Sequence, residues 1–250
     1  MRVLLAFPFR DTDGSRTPQY LQTQRCLWKM YPWDGIVECD SGHVKFNRAA
    51  TRNEAVFYAF SHNYDVIVLN DADTVPEEQP LNDAIRGAYT TDVVHYPFTT
   101  AYELIPKAMY QVGIQAASIL VQRAYGKCQS EGGIWVCKPE VWVKAGGQDE
   151  RFNGWGCEDR AFIAANKTLV GDPVKHQGAL FCMYHDRTTN NEDSWIPEEV
   201  QLLIQYNDAF MDKEKMREII DGRAYNSRTK SPATEKRSPT VRELPRDMYR

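Results

Sequence analysis

The stretch Val66-Ile67-Val68-Leu69-Asn70-Asp71-Ala72-Asp73-Thr74-Val75-Pro76 joins two kinds of sequence within a few residues. Its four leading apolar residues, three of them β-branched, read as a buried strand. Where that strand should end, an abrupt polar cluster brings in two carboxylates, Asp71 and Asp73. Open α/β sheets bind ligands at the carboxyl edge, because loops there vary while the strands hold them rigidly. The cluster therefore reads as a metal and phosphate site. Asn, Asp and Pro also build solvated turns, and this stretch alone leaves both readings open.

Upstream, Val3 to Phe9 reads as a first strand, ended by Pro8 and the polar run Arg10-Asp11-Thr12-Asp13-Gly14. A helix is predicted from about Pro18 to Met30, with Leu21, Cys26, Leu27 and Met30 as its apolar face. Gly35 to Cys39 is a second strand. Asn47 then suits the N-cap of a helix running to about Ser61, buried through Ala50, Ala55, Tyr58 and Ala59. Strand, helix, strand, helix, strand at this spacing predicts a right-handed parallel α/β half-domain, a nucleotide-binding type of scaffold. Neither G-x-G-x-x-G nor G-x-x-x-x-G-K-[ST] occurs, so phosphate charge has to be met in another way. A cation held by Asp71 and Asp73 would meet it.

Downstream, Pro80 to Tyr89 reads as a helix and Asp92 to Tyr96 as a strand, while Tyr102 to Lys127 is mixed and suits a lid or an acceptor loop. Gly132-Gly133-Ile134-Trp135-Val136-Cys137 is a strand opened by a glycine pair, where a backbone can pass close to a ligand. Pro139 to Lys144 starts as a helix and Gly146-Gly147 stops it. In Gly154-Trp155-Gly156-Cys157-Glu158-Asp159 the tryptophan between glycines is suited to offer a flat face to a ligand. Glu158 and Asp159 open a helix to about Thr168, where acidic side chains suit the positive helix end and plain pairing with the dipole is the alternative to a functional role. Leu180 to His185 is a strand ending in a metal-competent histidine. One helix is predicted from Pro197 to about Ile220.

At 250 residues, 42% hydrophobic and 26% charged, with a formal charge of -4, this is an ordinary globular composition that does not by itself point to nucleic acid. The six cysteines are scattered, with no C-x-x-C pair, as expected for reduced thiols. No apolar run is long enough for a bilayer, and the first residues enter a strand instead of a signal peptide. No membrane association and a cytoplasmic location are therefore expected. Residues 1–222 read as one catalytic domain. Residues 223–250 carry eight Lys or Arg against three acids and read as a flexible basic tail, either solvated or bound to an anionic partner such as nucleic acid.

Read together, these stretches resemble the inverting GT-A glycosyltransferases, and most closely the carboxyl-terminal catalytic region of the β-1,4-galactosyltransferase family. Pro8-Phe9-Arg10 is similar to that family's P-F-R near the donor uracil, and Phe46-Asn47-Arg48-Ala49 to its F-N-R-A, whose arginine approaches the diphosphate. Asn70-Asp71-Ala72-Asp73 resembles its D-x-D segment and Gly132-Gly133 its G-G-V strand. Gly154 to Asp159 is similar to its G-W-G-x-E-D, and His185-Asp186-Arg187 with Asn190-Asn191-Glu192 to its H-S-R-D…N-E. A lone D-x-D is common, but six motifs in the family's order are not.

The resemblance implies an α/β GT-A fold, the nucleotide-diphospho-sugar transferase fold, with a mostly parallel central sheet flanked by helices. It implies a metal-dependent inverting transfer from a nucleotide-diphospho-sugar, expected to be a UDP-sugar, to an acceptor hydroxyl. Donor-binding residues would be Pro8, Phe9, Arg10, Arg48, Asp71, Asp73, Gly133 and Trp155. Asp73 and His185 would hold Mn²⁺ or Mg²⁺, with Asp71 and Cys182 as further candidates. Asp159 would be the general base, and Glu158 would bind sugar hydroxyls.

Three departures stand out. Cys182 occupies the place of the family's methionine ligand. Lys127, Ser130 and Glu131 replace the aromatic residues ahead of the glycine pair, so galactose itself is not implied. The family's Golgi anchor and stem are not found, from which a bacterial or viral-host cytoplasm is expected. The acceptor, whether glycan, protein or modified nucleic acid, stays open. Two competing readings are a DNA-modifying glycosyltransferase acting on a hydroxylated base, its tail gripping the phosphate backbone, and a noncatalytic nucleotide-sugar-binding module.

Overall fold

Val66–Asn70 is a strand, as its sequence predicts, and each of its residues is buried. The computed structural model describes residues 1–11, 14–104, 121–125, 132–153, 156–184, 196–223 and 238–245. In chain order the first elements are β1 (Val3–Pro8), α1 (Thr17–Met30), β2 (Gly35–Asp40), α2 (Arg48–Ser61), β3 (Val66–Asn70), β4 (Thr74–Pro76) and α3 (Glu78–Thr90). There follow β5 (His95–Tyr96), β6 (Thr100–Leu104), β7 (Val121–Tyr125), β8 (Ile134–Cys137), α4 (Pro139–Lys144) and α5 (Cys157–Leu169). The chain closes through β9 (Val174–Lys175), β10 (Ala179–Cys182), α6 (Pro197–Asp208), α7 (Lys213–Asp221) and β11 (Thr240–Glu243).

The central sheet has the order β11-β2-β1-β3-β8-β5-β9. Five of its seven strands run one way, while β8 and β11 run against them. Strand β2 lies on one side of β1 and β3 on the other. Right-handed crossovers then put α1 and α2 on opposite faces and leave a crevice where the strand order reverses, at the carboxyl ends of β1 and β3. The register brings Pro8 beside Cys39 and Ala6 beside Leu69, so Arg10, Asp40 and Asp71 emerge along one edge. A second sheet, β4-β10-β6-β7, continues from this edge, with β10 antiparallel to β4.

The structure departs from the sequence expectations in several elements; the strand expected from Leu180 to His185, for one, is Ala179–Cys182. Helix α1 buries Gln19, Tyr20, Thr23, Gln24 and Leu27 and leaves Leu21 exposed. That face abuts strand ends whose polar atoms need partners: Gln19 Nε2 donates to the Tyr184 carbonyl at 2.9 Å, and Tyr20 stacks on Phe9 at 3.9 Å. The single helix expected from Pro197 to Ile220 is two helices. Met211 turns to a φ of 66°, and the Asp212 side chain caps α7 by accepting from the Lys215 amide, a local bond that competes with helix continuation. The strand expected over Asp92–Tyr96 is only His95–Tyr96.

The basic tail is not wholly outside the fold. Thr240–Glu243 pairs antiparallel with β2, Leu244 is buried in the main core, and Arg223 is buried beside Tyr206. Residues 224–237 and 246–250 lie outside the described residues, as does most of the expected lid, at 105–120 and 126–131.

Leu244→Ala should cost about 2–5 kcal/mol in urea unfolding, the range for a truncated core leucine. An unchanged midpoint would mean that β11 adds nothing to the domain.

Candidate active site

Asn47 performs two tasks at the start of α2. Its side-chain oxygen accepts from the Ala50 amide at 2.8 Å and caps the helix, as its position predicts. Its Nδ2 donates to the Glu150 carbonyl at 2.8 Å and the Asn153 side chain at 3.1 Å. The helix start is thereby tied to the loop that precedes α5. Gly156, at a φ of 87°, turns the chain into α5, and Glu158 and Asp159 lie in its first turn.

The two acidic segments converge on one residue that the motifs do not include. Arg52 is one turn beyond Arg48 on α2, with a side chain only 1% exposed. Its Nη2 is 2.7 Å from Asp71 Oδ1 and its Nη1 is 2.9 Å from Asp159 Oδ1. The same Nη1 donates to Gln148 Oε1 at 3.0 Å, and the guanidinium lies 4.2 Å from the centre of the Trp135 ring. Arg48 Nε is 3.0 Å from Glu158 Oε1, and Glu158 is 3% exposed. Burial opposes charge on Arg52, but Asp71, Asp159 and Glu158 outweigh it and raise the guanidinium further.

Three carboxylates thus share two arginines. The Asp159 carboxyl is pushed up to about 7: desolvation raises it most, Arg52 pulls it down, and Glu158 and Asp71 push it up again. The side chain is still 20% exposed, so water reaches this carboxylate. Glu158 Oε2 is buried without a hydrogen-bond partner among the described residues.

Asp71 is fastened from beneath: its amide donates to the Gly133 carbonyl at 2.8 Å, and Thr74 Oγ1 donates to that carbonyl at 2.8 Å. Gly133 has a φ of 97°, and a Cβ there would meet Leu180 at 2.9 Å, so close packing accounts for this glycine. Asp73 is 26% exposed and ion-paired with Arg16 at 3.1 Å. Its carbonyl accepts from the Met183 amide at 2.7 Å, which brings the end of β10 alongside it. His185 follows Tyr184 in sequence, but it and Trp155 lie outside the described residues. Cys182 is opposite Thr74, and Met183 is buried with Val75 and Leu104. No group of three His, Cys, Asp or Glu suited to a metal occurs among the described residues. Asp73, half-buried beside the end of β10, is a carboxylate oxygen donor of the kind that hard divalent cations take.

Pro8 ends β1, and Phe9 stacks on Tyr20. Arg10 turns to Asp40, with Nε 2.7 Å from Oδ2, and donates to the His43 carbonyl at 2.6 Å. Its guanidinium thus ties the end of β1 to the loop after β2. Arg52, Gln148 and Arg16 were missed by the motif reading. For Arg52 a signal existed: it shares a helical stripe with Ala49, Ala55, Val56 and Ala59, where a charge must be buried.

No family profile matches the chain. The chain is 25% identical over 201 residues to β-1,4-galactosyltransferase 4 of Mus musculus, with like matches in Cricetulus griseus and Rattus norvegicus. The match takes in 76% of this chain and 51% of the mouse protein, so the chain spans about half the length of the curated relatives it matches. In structure it is similar to the catalytic domain of Drosophila β-1,4-galactosyltransferase 7 in complex with xylobiose, with a TM-score of 0.53, 20% identity, and coverage of 82% of this chain and 80% of that one. A mutant of that enzyme, in complex with manganese, UDP-Gal and xylobiose, gives the same TM-score at 20% identity, covering 81% and 79%. The fold is GT-A, and the resemblance carried by the motifs stands on sequence similarity as well. The expected cytoplasmic location is overturned, because the matched relatives are Golgi membrane enzymes. Among the described residues no helix is long and apolar enough to cross a membrane.

Because the folded Asp159 carboxyl titrates above its ordinary value of 3.8, its contribution to stability is greatest below pH 4 and fades as pH rises through 7. The melting temperature of Asp159→Asn relative to the parent should therefore rise between pH 5 and pH 8, by about 3 °C or more. A difference that stays flat over this range would contradict the raised carboxyl.

Proposed function

We propose that this chain is a metal-dependent inverting glycosyltransferase that moves a sugar from a UDP-sugar to an acceptor hydroxyl. The observation that carries the reading is Asp159, a carboxylate raised towards neutrality and reached by water, set across Arg52 from Asp71. A general base works best when it titrates near the operating pH. The sequence similarity to β-1,4-galactosyltransferase 4 supports the reaction class, and the manganese and UDP-Gal held by the Drosophila enzyme support the donor and the cation.

In this reading Asp159 accepts the acceptor's hydroxyl proton as that oxygen bonds to the anomeric carbon. The bond from the anomeric carbon to the diphosphate oxygen breaks on the opposite face, and UDP departs. Asp73 and His185 are the proposed ligands of Mn²⁺ or Mg²⁺, with Asp71 and Cys182 beside them. The cation, when bound, supplies positive charge for the departing diphosphate. Arg48 serves the diphosphate side, and Pro8, Phe9 and Arg10 shape the nucleotide end of the crevice. Gly133 keeps the Asp71 turn close to the donor. Glu158 offers its unpartnered Oε2 to a sugar hydroxyl, which would satisfy a buried acceptor. Trp155 stacks on a sugar face. Residues 1–223 with β11 form the proposed catalytic unit.

A panel of nucleotide sugars tested for Mn²⁺-dependent thermal stabilisation should single out the donor, since a bound ligand raises the melting temperature by mass action. With that donor, UDP release should require Mn²⁺ and vanish in Asp73→Ala. Asp159→Asn should lower kcat by about 100-fold or more. The rise of kcat/KM with pH through the neutral range should disappear in that variant. Undiminished transfer by Asp159→Asn would defeat the base assignment.

A further inference from the structure

Arg52 lies in none of the six motifs, yet it touches both halves of the site. Its planar fork addresses two chain segments at once: Nη2 meets Asp71 after β3, and Nη1 meets Asp159 at the start of α5. Gln148 closes the arrangement. Its Oε1 accepts from Arg52 Nη1, and its Nε2 donates to the same Asp159 Oδ1 at 3.0 Å. Gln148 is itself held by the residue next to Arg52: its amide donates to Asn53 Oδ1 at 3.0 Å, and Asn53 Nδ2 donates to its carbonyl at 2.9 Å. Trp142 Nε1 donates to Asn53 Oδ1 at 2.9 Å. Gly147, at a φ of 65°, has no room for a Cβ, which would meet Asn53 Oδ1 at 2.8 Å, so a side chain there would press on this bridge.

Both bonds to Asp159 fall on Oδ1. Oδ2 has no hydrogen bond among the described residues, although the side chain reaches solvent. We propose that Arg52 and Gln148 are positioning residues that pin Asp159 through Oδ1 and leave Oδ2 as the oxygen that takes the acceptor's proton, with Arg52 holding this carboxylate in register with Asp71. The inference rests on the glycosyltransferase reading and deepens it. An ammonium could not substitute, because a point charge on a flexible stem does not span both carboxylates as a guanidinium does.

Gln148 hydrogen-bonds Asp159 and, among the described residues, makes no hydrogen bond to Asp71, which allows the two effects to be separated. Gln148→Leu should lower kcat about 10-fold or more, because a slightly misplaced base is costly, while the Kd for UDP with Mn²⁺ by calorimetry stays at the parental value. In an Asp159→Asn background the same change should cost less than about 2-fold, since the group it positions is gone. Arg52→Lys should lower kcat and also weaken UDP binding through Asp71. Losses from Gln148→Leu and Asp159→Asn that multiply, or an Arg52→Lys enzyme with parental kcat, would overturn the assignment. If Arg52→Lys does not fold, the Gln148 cycle decides alone. If the parent releases UDP from no UDP-sugar, the functional reading fails, and the pinning is read from melting temperatures. Gln148→Leu and Asp159→Asn should then be non-additive, and shifts that add to within about 2 °C would overturn it.

Discussion

A guanidinium almost without contact with water is costly unless its charge is met; Arg52 Nε has no hydrogen-bond partner among the described residues, while its two Nη groups are met by parts of the chain that are far apart in sequence. Asp71 comes from the turn after β3, Asp159 from α5, Gln148 from the loop after α4 and Trp135 from β8. Folding must bring all of them to one point before the charge can be left there. Truncating any partner would strand a charge in the interior, a more damaging event than the loss of one contact. The same constraint sets the character of the site: burial first, then the neighbouring Glu158 and Asp71, raises the Asp159 carboxyl against the pull of Arg52.

The antiparallel strand β8 is what lets the second half of the chain reach the first. It inserts beside β3, placing Ile134 opposite Asn70, so the Gly133 carbonyl lies under the Asp71 amide. Trp135, next in the strand, backs the guanidinium. From there α4 and its glycine turn carry the chain to Gln148, and the loop held by Asn47 delivers α5. Each half thus positions the other, and the polar groups involved are largely satisfied.

Much of the fold was legible because its signals are local. The β-branched run of β3, the asparagine cap of α2 and the glycine pair after α4 each act within a few residues and were read correctly. The misreadings come from tertiary context. Helix α1 was judged by an apolar stripe, yet what it meets includes strand ends with bare polar atoms, and Gln19 and Thr23 serve those better than Leu21. The candidate site was legible as a set of carboxylates and motif arginines. Its organising residue was marked only by a charge set in a helical stripe of alanines, a signal that motif matching does not weigh. The partners of Arg10 were equally unreadable, since Asp40 and the His43 carbonyl meet it only once β1 and β2 align.

The two edges of the central sheet end differently, and this bears on how the molecule comes into being. At one side β9 is two residues long and carries Lys175, a short charged border that discourages pairing with another chain. At the other, β2 is a six-residue strand whose outer hydrogen-bonding groups are covered by β11, some two hundred positions later in the sequence. During synthesis β2 is therefore made some two hundred residues before the strand that covers it. Until β11 arrives, a growing chain carries an open template for joining its neighbours.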